Sequence, residues 1–341
     1  MFKKENNILN IIIIFAVSLV LIVLLVLILS DTPLKTLFFF FIGPFMSVFS
    51  IGNMLNSVTP LIFGGLAVTI AMKAGHLNLG GEGQIYFGAF VTTITAISLS
   101  SFGAFGAVIA VLTGSLCAGF LSALCGFCKA RWNTNELITT FLISLAVIPI
   151  VNYLITGPFM DPQTSLLSTK KIAQSMRIPV LLKPSGLNAG FLIALVFVPA
   201  VHLFLSKTKI GYEFRIAGFN ELFARYGGIN TKLNTVISMS ISGFLYGLAG
   251  SIDILGTYHA AIKGFSAGLG WSGLTVALIA CFSPASIIPC ALFLAWINSG
   301  ARIAMQNTGL TYEIALVVQA VIFLLSTSMV IKNIKIKKRM G

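Results

Sequence analysis

Long apolar runs separated by short polar loops cover most of the chain. A helix needs about 20 apolar residues to cross a hydrocarbon core about 30 Å thick. Runs of that length predict membrane-spanning helices at 8–29, 53–72, 82–100, 103–127, 135–155, 187–206, 235–256, 287–305 and 310–331. A shorter run at 271–282 ends at Ser283-Pro284 and predicts a broken span. The pattern predicts an all-α integral membrane protein with about ten crossings, formed by one transmembrane domain over residues 1–341.

Two apolar segments differ from these spans. Residues 34–51 are short and contain Gly43-Pro44, which predicts an interfacial or re-entrant segment rather than a crossing. The first run follows Lys3 and Lys4, as a secretory signal would, but no small-residue cleavage site follows it. Its apolar core also exceeds the roughly 7–15 residues of such a signal. We therefore expect a retained anchor helix.

Composition and charge support this class. The chain is 57% apolar and 9% charged, with a mean hydropathy of +0.99, whereas soluble proteins average about 45–50% and 25%. The net charge is +13. Ten crossings with an internal N-terminus place most Lys and Arg residues in cytoplasmic loops, as the positive-inside rule expects. The charge therefore predicts cytoplasmic N- and C-termini and contact with lipid, and not nucleic-acid binding.

Motifs that could carry catalysis lack the context that they need. Cys125 and Cys128 have redox or zinc spacing, but no second pair or suitably spaced His completes a metal site. The glycines of 268–273 match a dinucleotide pattern outside any βαβ unit, and no Gly-Lys dipeptide of a Walker A loop occurs. No Ser/His, paired-carboxylate or His-Glu-x-x-His spacing occurs within a span. We expect no catalytic residue, metal or cofactor in this chain, so that ATP and Mg²⁺ would bind to another.

A glycine-rich stretch, KAGHLNLGGEGQ at 73–84, separates two apolar runs. Each glycine costs a helix about 1 kcal/mol relative to Ala, so the stretch predicts a break. Broken backbone at membrane depth persists only where it is buried in protein or faces water. His76, Asn78, Glu82 and Gln84 would then line a pathway for a polar substrate, or would tie the segment together.

Two further groups of polar residues lie within predicted spans, where ionisable residues point to a pathway. Asp253 shares a helical face with Tyr246, Gly250 and Thr257 because their spacings follow the helical period. Asp253 could instead be hydrated at the outer mouth.

The other group surrounds the broken span. Trp271 could stack on a substrate or anchor at the interface, Asn298 lies in the next span, and Arg302 is expected to reach the outer surface.

The predicted cytoplasmic loop 207–234 contains a short helix over residues 220–226. Asn220 caps it, Glu221 and Arg225 form an i, i+4 pair, and Gly227 ends it. One face carries apolar and aromatic side chains, namely Leu222, Phe223 and Tyr226. Such a face suits a groove on a partner protein, or else the inner leaflet.

Three stretches resemble ABC-transporter permeases of the branched-chain amino acid and simple sugar family, above all its nucleoside branch. They are GGLAVTIAMKAGHLNLGGEGQIYFGAF at 64–90, GYEFRIAGFNELFARYGGIN at 211–230 and GWSGLTVALIACFSPASIIPCALF at 270–293. The second is similar to the family's cytoplasmic coupling loop, and the third to its second-half membrane signature. His76 departs from the branch, which more often has an apolar residue there. The two membrane signatures also suggest a two-half pseudo-repeat.

The resemblance implies import by alternating access in a bacterial inner membrane. An external binding protein would deliver substrate, a second permease subunit, homologous or identical, would complete the passage, and an ABC ATPase would dock on the 220–226 helix. Nucleosides are uncharged and rich in hydrogen-bonding groups, which suits Asn78, Gln84, Tyr246, Thr257 and Trp271. Ribose, other simple sugars or branched-chain amino acids are alternative substrates. A secondary transporter driven by an ion gradient is the alternative from another class, because it too has broken helices and rare carboxylates.

Overall fold

The computed structural model describes residues 4–308, 313, 316–325 and 327. Helices dominate this part of the chain, with one small antiparallel sheet of β1 (Val180–Leu182) and β2 (Leu187–Asn188). The helices are α1 (Lys4–Leu29), α2 (Pro33–Phe41), α3 (Val48–Lys73), α4 (Gly81–Ser98), α5 (Gly103–Trp132), α6 (Glu136–Thr156), α7 (Gly190–Lys207), α8 (Lys209–Phe219), α9 (Glu221–Tyr226), α10 (Thr231–Asp253), α11 (Leu269–Ile279), α12 (Pro284–Thr308) and α13 (Leu316–Leu325). The predicted all-α membrane class is confirmed.

Each of the ten predicted crossings contains a helix in the described residues. Seven helices there are long and apolar enough to cross a membrane, namely α1, α3, α5, α6, α7, α10 and α12. The helix α4 is rich in Gly and Thr, and α11 and α13 are shorter apolar helices. A count of ten crossings is therefore not confirmed. Lys3 and the basic C-terminal residues lie outside the described residues. So do most residues of the predicted 310–331 span on either side of α13.

Residues 34–51 form a short helix and a turn. At 1.5 Å per residue, α2 is about 14 Å long, too short to cross. This agrees with the interfacial or re-entrant prediction, although α3 already begins at Val48. The segment packs on α12, where the Trp296 indole donates to the Phe41 carbonyl at 3.2 Å.

The centre of the bundle consists of α3, α4, α10 and α11. In the most apolar 18-residue stretch of each helix, 89% of α3 and 72% of α10 are buried, against 22% of α1 and of α6. Small residues allow α10 to approach its neighbours closely: a Cβ on Gly247 would lie 2.7 Å from Ser115 Cα in α5. Such small-residue contacts are the usual means of helix packing in lipid. The peripheral helices are left with large exposed apolar side chains.

The end of α10 departs from regular helix. Residues Ile254–Tyr258 are π-helical, and His259 follows with φ 58°. Single π turns are frequent at functional sites. This turn contains Thr257, whose side chain still lies near the Asp253 carboxyl, as the predicted shared face requires.

Candidate functional site

The predicted break is present between α3 and α4. Residues 74–80 are not helical, and Gly75 has a φ of +87°. The backbone N–H groups of Leu79 and Gly83 donate to Thr140 and Ser144 of α6, at 3.1 and 2.7 Å. The end of the break and the first turn of α4 are therefore hydrogen-bonded to α6, which satisfies backbone groups at membrane depth.

The helices α3 and α11 are in close contact near the middle of the bundle. A Cβ on Gly64 of α3 would come within 3.0 Å of Gly273 Cα in α11. Gly64 is about 14 Å along α3 from its end at Lys73, which is close to half of a core about 30 Å thick. The start of α11 therefore lies near mid-depth.

Glu82 joins the two glycine-rich signatures at this depth. Its Oε1 accepts from the Gly268 N–H at 2.9 Å, and its Oε2 accepts from the Gly270 N–H at 2.8 Å. Glu82 is in the first turn of α4, so one carboxylate lies at the N-termini of both α4 and α11. Helix N-termini attract anions. The anion position of α11 is therefore filled by the chain itself.

Asn78 and Gln84 form a buried pair of amides. Asn78 Nδ2 donates to Gln84 Oε1 at 2.8 Å, and Gln84 Nε2 donates to Asn78 Oδ1 at 3.1 Å. Asn78 Nδ2 also lies 3.1 Å from Ser122 Oγ in α5 and from Ser242 Oγ in α10. These contacts tie the break to both helices, as the structural alternative describes. A role for either amide in the pathway remains a prediction.

His76 links the break to two other helices. Its Nε2 lies 2.9 Å from Thr235 Oγ1 in α10. Its Nδ1 lies 3.7 Å from Glu136 Oε1 at the start of α6, and Glu136 Oε2 is paired with Lys129 Nζ at 3.2 Å. This side chain therefore has structural partners at the end of α3, and a pathway role for it also remains a prediction.

The predicted Tyr246 face runs between α3 and α4. The Tyr246 ring is buried against Gly81, where no Cβ would fit. Asp253 retains 9% of its surface exposed, less than a hydrated carboxylate at an open mouth would have. Thr257 is exposed and accepts from Asn56 Nδ2 of α3 at 3.0 Å. These residues lie along α10 and the π turn that follows it, and a pathway lined by them remains a prediction.

Trp271 borders a pocket, and Asn298 lies on α12. Trp271 follows the Glu82 contact in α11 and keeps 41% of its surface exposed. Asn298 is half-buried on α12 and makes no hydrogen bond to the other predicted pathway residues within the described ranges. Arg302 donates to Ser299 Oγ at 3.2 Å.

The predicted short helix is present as α9. Asn220 Oδ1 accepts from the Phe223 N–H at 3.0 Å, and Glu221 pairs with Arg225. Gly227 follows the last turn. The apolar face is open, with Leu222, Phe223 and Tyr226 exposed by 65%, 63% and 92%. The sequence did not predict α8, which the Thr208 hydroxyl caps by accepting from the Gly211 N–H at 3.0 Å.

One contact joins α8 to the break, and another joins α9 to the start of α10. In α8, Gly218 packs against the Lys73 backbone and Gly75, so that a Cβ on it would lie 2.8 Å from Gly75 N. Arg225 Nε of α9 donates to Thr231 Oγ1 at the start of α10, at 3.1 Å. The 74–80 segment is thus connected with Glu82 on one side and with α8 on the other.

Comparisons with known proteins agree with the predicted resemblance. The family described as the permease component of the branched-chain amino acid transport system matches residues 50–327. A protein named as a probable riboflavin import permease of Treponema pallidum is 33% identical over 297 residues, 87% of this chain and 79% of the relative. A guanosine ABC transporter permease of Bacillus subtilis is 30% identical over 292 residues, 84% of this chain and 83% of the relative. A nucleoside ABC transporter permease of Lactococcus lactis is 29% identical over 303 residues, 86% of this chain and 83% of the relative. The chain therefore belongs to this family of ABC-transporter permeases and is a multi-pass membrane protein.

Proposed function

We propose that this chain is the permease subunit of an ABC importer for uncharged nucleosides, purine nucleosides above all. The contact of Glu82 with the α11 N-terminus carries the proposal. In transporters with discontinuous helices, a mid-depth helix N-terminus commonly binds an anionic group of the substrate. Because Glu82 fills this position, the site favours neutral substrates over branched-chain amino acids, which carry a carboxylate.

The relatives named for guanosine and nucleosides support this substrate class. Riboflavin is a second candidate because a relative named for it is 33% identical. Riboflavin resembles a nucleoside in chemistry, since both join an uncharged heteroaromatic ring to a five-carbon group with several hydroxyls, a ribose ring in nucleosides and an open ribityl chain in riboflavin.

Membership of the family implies an ATPase and a substrate-binding protein as partners. We further propose that a second permease subunit, homologous or identical, completes the passage. ATP and Mg²⁺ would bind to the ATPase, and this chain would have no catalytic role or cofactor of its own. The exposed face of α9 would dock on the ATPase. We also propose that α8, α9 and both termini lie on the cytoplasmic side of a bacterial inner membrane.

The test is uptake into proteoliposomes that contain the complex purified on a tagged form of this chain, with binding protein outside and ATP inside. Saturable guanosine or adenosine uptake that requires both components, and that ribose and leucine do not compete, is expected. Uptake of riboflavin alone would select the second candidate. Uptake of leucine or ribose instead would refute the proposed substrate class. Uptake that survives ATP depletion and collapses with a protonophore would indicate a gradient-driven transporter.

A further inference from the structure

A pocket of about 470 Å³ lies between α11 and α13. Its wall is mainly apolar, with Leu316 and Phe323 among the lining residues, and its polar groups are Ser272, Thr275 and Gln319. The volume falls within the range of about 300–1,000 Å³ typical of small-molecule sites. The pocket begins at Gly268, which Glu82 binds, so it lies near mid-depth. It is open on the outer side of the described helices, where its lining residues Trp271, Leu316 and Leu324 are exposed.

The hydrogen bonds around the pocket determine what it can offer to a ligand. The Ser272 hydroxyl donates to the Gly268 carbonyl at 3.1 Å, so it accepts from Gln319 Nε2 at 2.9 Å. This fixes the orientation of the amide and leaves Gln319 Oε1 as an acceptor. The Thr275 hydroxyl donates its proton to the Trp271 carbonyl at 2.9 Å. The pocket therefore presents the Gln319 Oε1 acceptor beside the second N–H of the same amide, and a matching ligand supplies an N–H or O–H donor next to an acceptor.

Trp271 supplies a flat aromatic surface beside these acceptors. Phe141 of α6 approaches the indole edge-on, with ring centroids 6.2 Å apart and planes at 68°. This geometry leaves indole surface for a second ring, since 41% of Trp271 is exposed. Polar groups at mid-depth are costly and point to function, so a Gln beside an open indole is unexpected for a wall that meets only lipid.

We propose that this pocket binds the heteroaromatic ring of the transported substrate. Trp271 stacks on the ring, and Gln319 Oε1 accepts a hydrogen bond from a ring N–H group. The assignment rests on the proposed function, because it requires a substrate with such a ring. It accounts for selection of nucleosides or flavins over free sugars, which offer hydroxyl groups but no ring to stack.

The first test measures import of guanosine by the assembled complex in proteoliposomes, at a saturating concentration of loaded binding protein. Trp271→Leu is expected to lower the initial rate about tenfold, since a base–aromatic stack is a major contact. Trp271→Phe, which keeps a ring, is expected to stay within about threefold. Gln319→Leu, which removes the acceptor, is expected to lower the rate about fivefold. The matched control is Trp132→Leu at the end of α5, where the indole is exposed and outside the pocket, and its rate is expected to equal that of the wild type.

The second test locates the ring directly. The complex is irradiated with 8-azidoguanosine during turnover, and the labelled peptides are identified by mass spectrometry. Labels on α11 or α13 that excess guanosine suppresses are expected. Labels only elsewhere, or unchanged import by Trp271→Leu and Gln319→Leu, would overturn the proposal.

Two other outcomes are informative. Loss of the second permease subunit from Trp271→Leu complexes, without labelling of wild-type α11 or α13, would make this surface a subunit interface and also overturn the proposal. Wild-type import reports on the substrate class separately: if riboflavin is imported and guanosine is not, the nucleoside assignment fails, while the same variants with riboflavin still test the pocket.

Discussion

Gly218 is the residue at which α8 meets the break, and its replacement by Ala tests whether this contact couples the ATPase to transport. A Cβ at this position would lie 2.8 Å from Gly75 N and 3.0 Å from Lys73 C. Both atoms belong to backbone, which cannot move aside as a flexible side chain can. Overpacking of this kind typically costs about 1–3 kcal/mol. If α8 moves away to relieve this clash, the fraction of complexes in which α8 contacts the break falls roughly 5- to 150-fold.

The assay is the ratio of nucleosides imported to ATP hydrolysed in proteoliposomes. Gly218→Ala is expected to lower this ratio at least about fivefold, because the ATPase still hydrolyses ATP while its closure no longer reaches the break. Gly227→Ala is the matched control, since a Cβ there would meet its nearest atom at an ordinary 3.4 Å. A wild-type ratio for Gly218→Ala in a normally assembled complex would refute the reasoning. Fluorescence-detected size-exclusion chromatography measures assembly independently.

Three other substitutions test separate contacts. Glu82→Gln is expected to lower the thermal midpoint of the complex, because each charge-assisted hydrogen bond contributes about 1.5–3 kcal/mol; Glu221→Gln, at an exposed carboxylate, is expected to leave it unchanged, and equal midpoints would contradict the assigned role. Tyr226→Glu is expected to reduce co-purification of the ATPase at least about tenfold, whereas Tyr226→Phe is expected to retain it; retention by both would exclude this face of α9 as the dock. Asn78→Ala is expected to reduce the amount of assembled complex, because a buried amide left without its partner costs about 1–3 kcal/mol. Asn298→Ala serves as the control, and loss of uptake at normal assembly for Asn78→Ala would instead favour the pathway alternative.

The sequence predicts those parts of the fold that depend on local pattern. Apolar runs placed the long helices, and the glycines at 75–83 placed the break. The predicted range of α9, 220–226, agrees with the observed helix to within one residue. It followed from the Asn220 cap, the Glu221–Arg225 pair and the terminating Gly227. In contrast, α8 was missed because GYEFRIAGF mixes aromatic, charged and glycine residues without a clear period.

Contacts between distant residues were beyond such reasoning. Glu82 binds Gly268, 186 residues further along the chain, and neither signature alone indicates the other as its partner. The pocket was missed for a related reason: Trp271 was singled out, but the neighbouring acceptor is on α13. A polar Gln319 inside an apolar run was a signal that could have been used.

The arrangement of the break explains how one short segment can serve both ends of the transport cycle. Its first residues contact α8, and its last residues begin α4, whose Glu82 holds the start of α11. Within the described residues, Asn78 and Gln84 satisfy each other and fix the segment to α5 and α10, so the segment moves only if that network rearranges. Packed cores of this kind switch between discrete states rather than deforming continuously. A displacement of α8 that exceeds the stability of this network would therefore shift Glu82 and the α11 wall of the pocket together, which is the behaviour that alternating access requires.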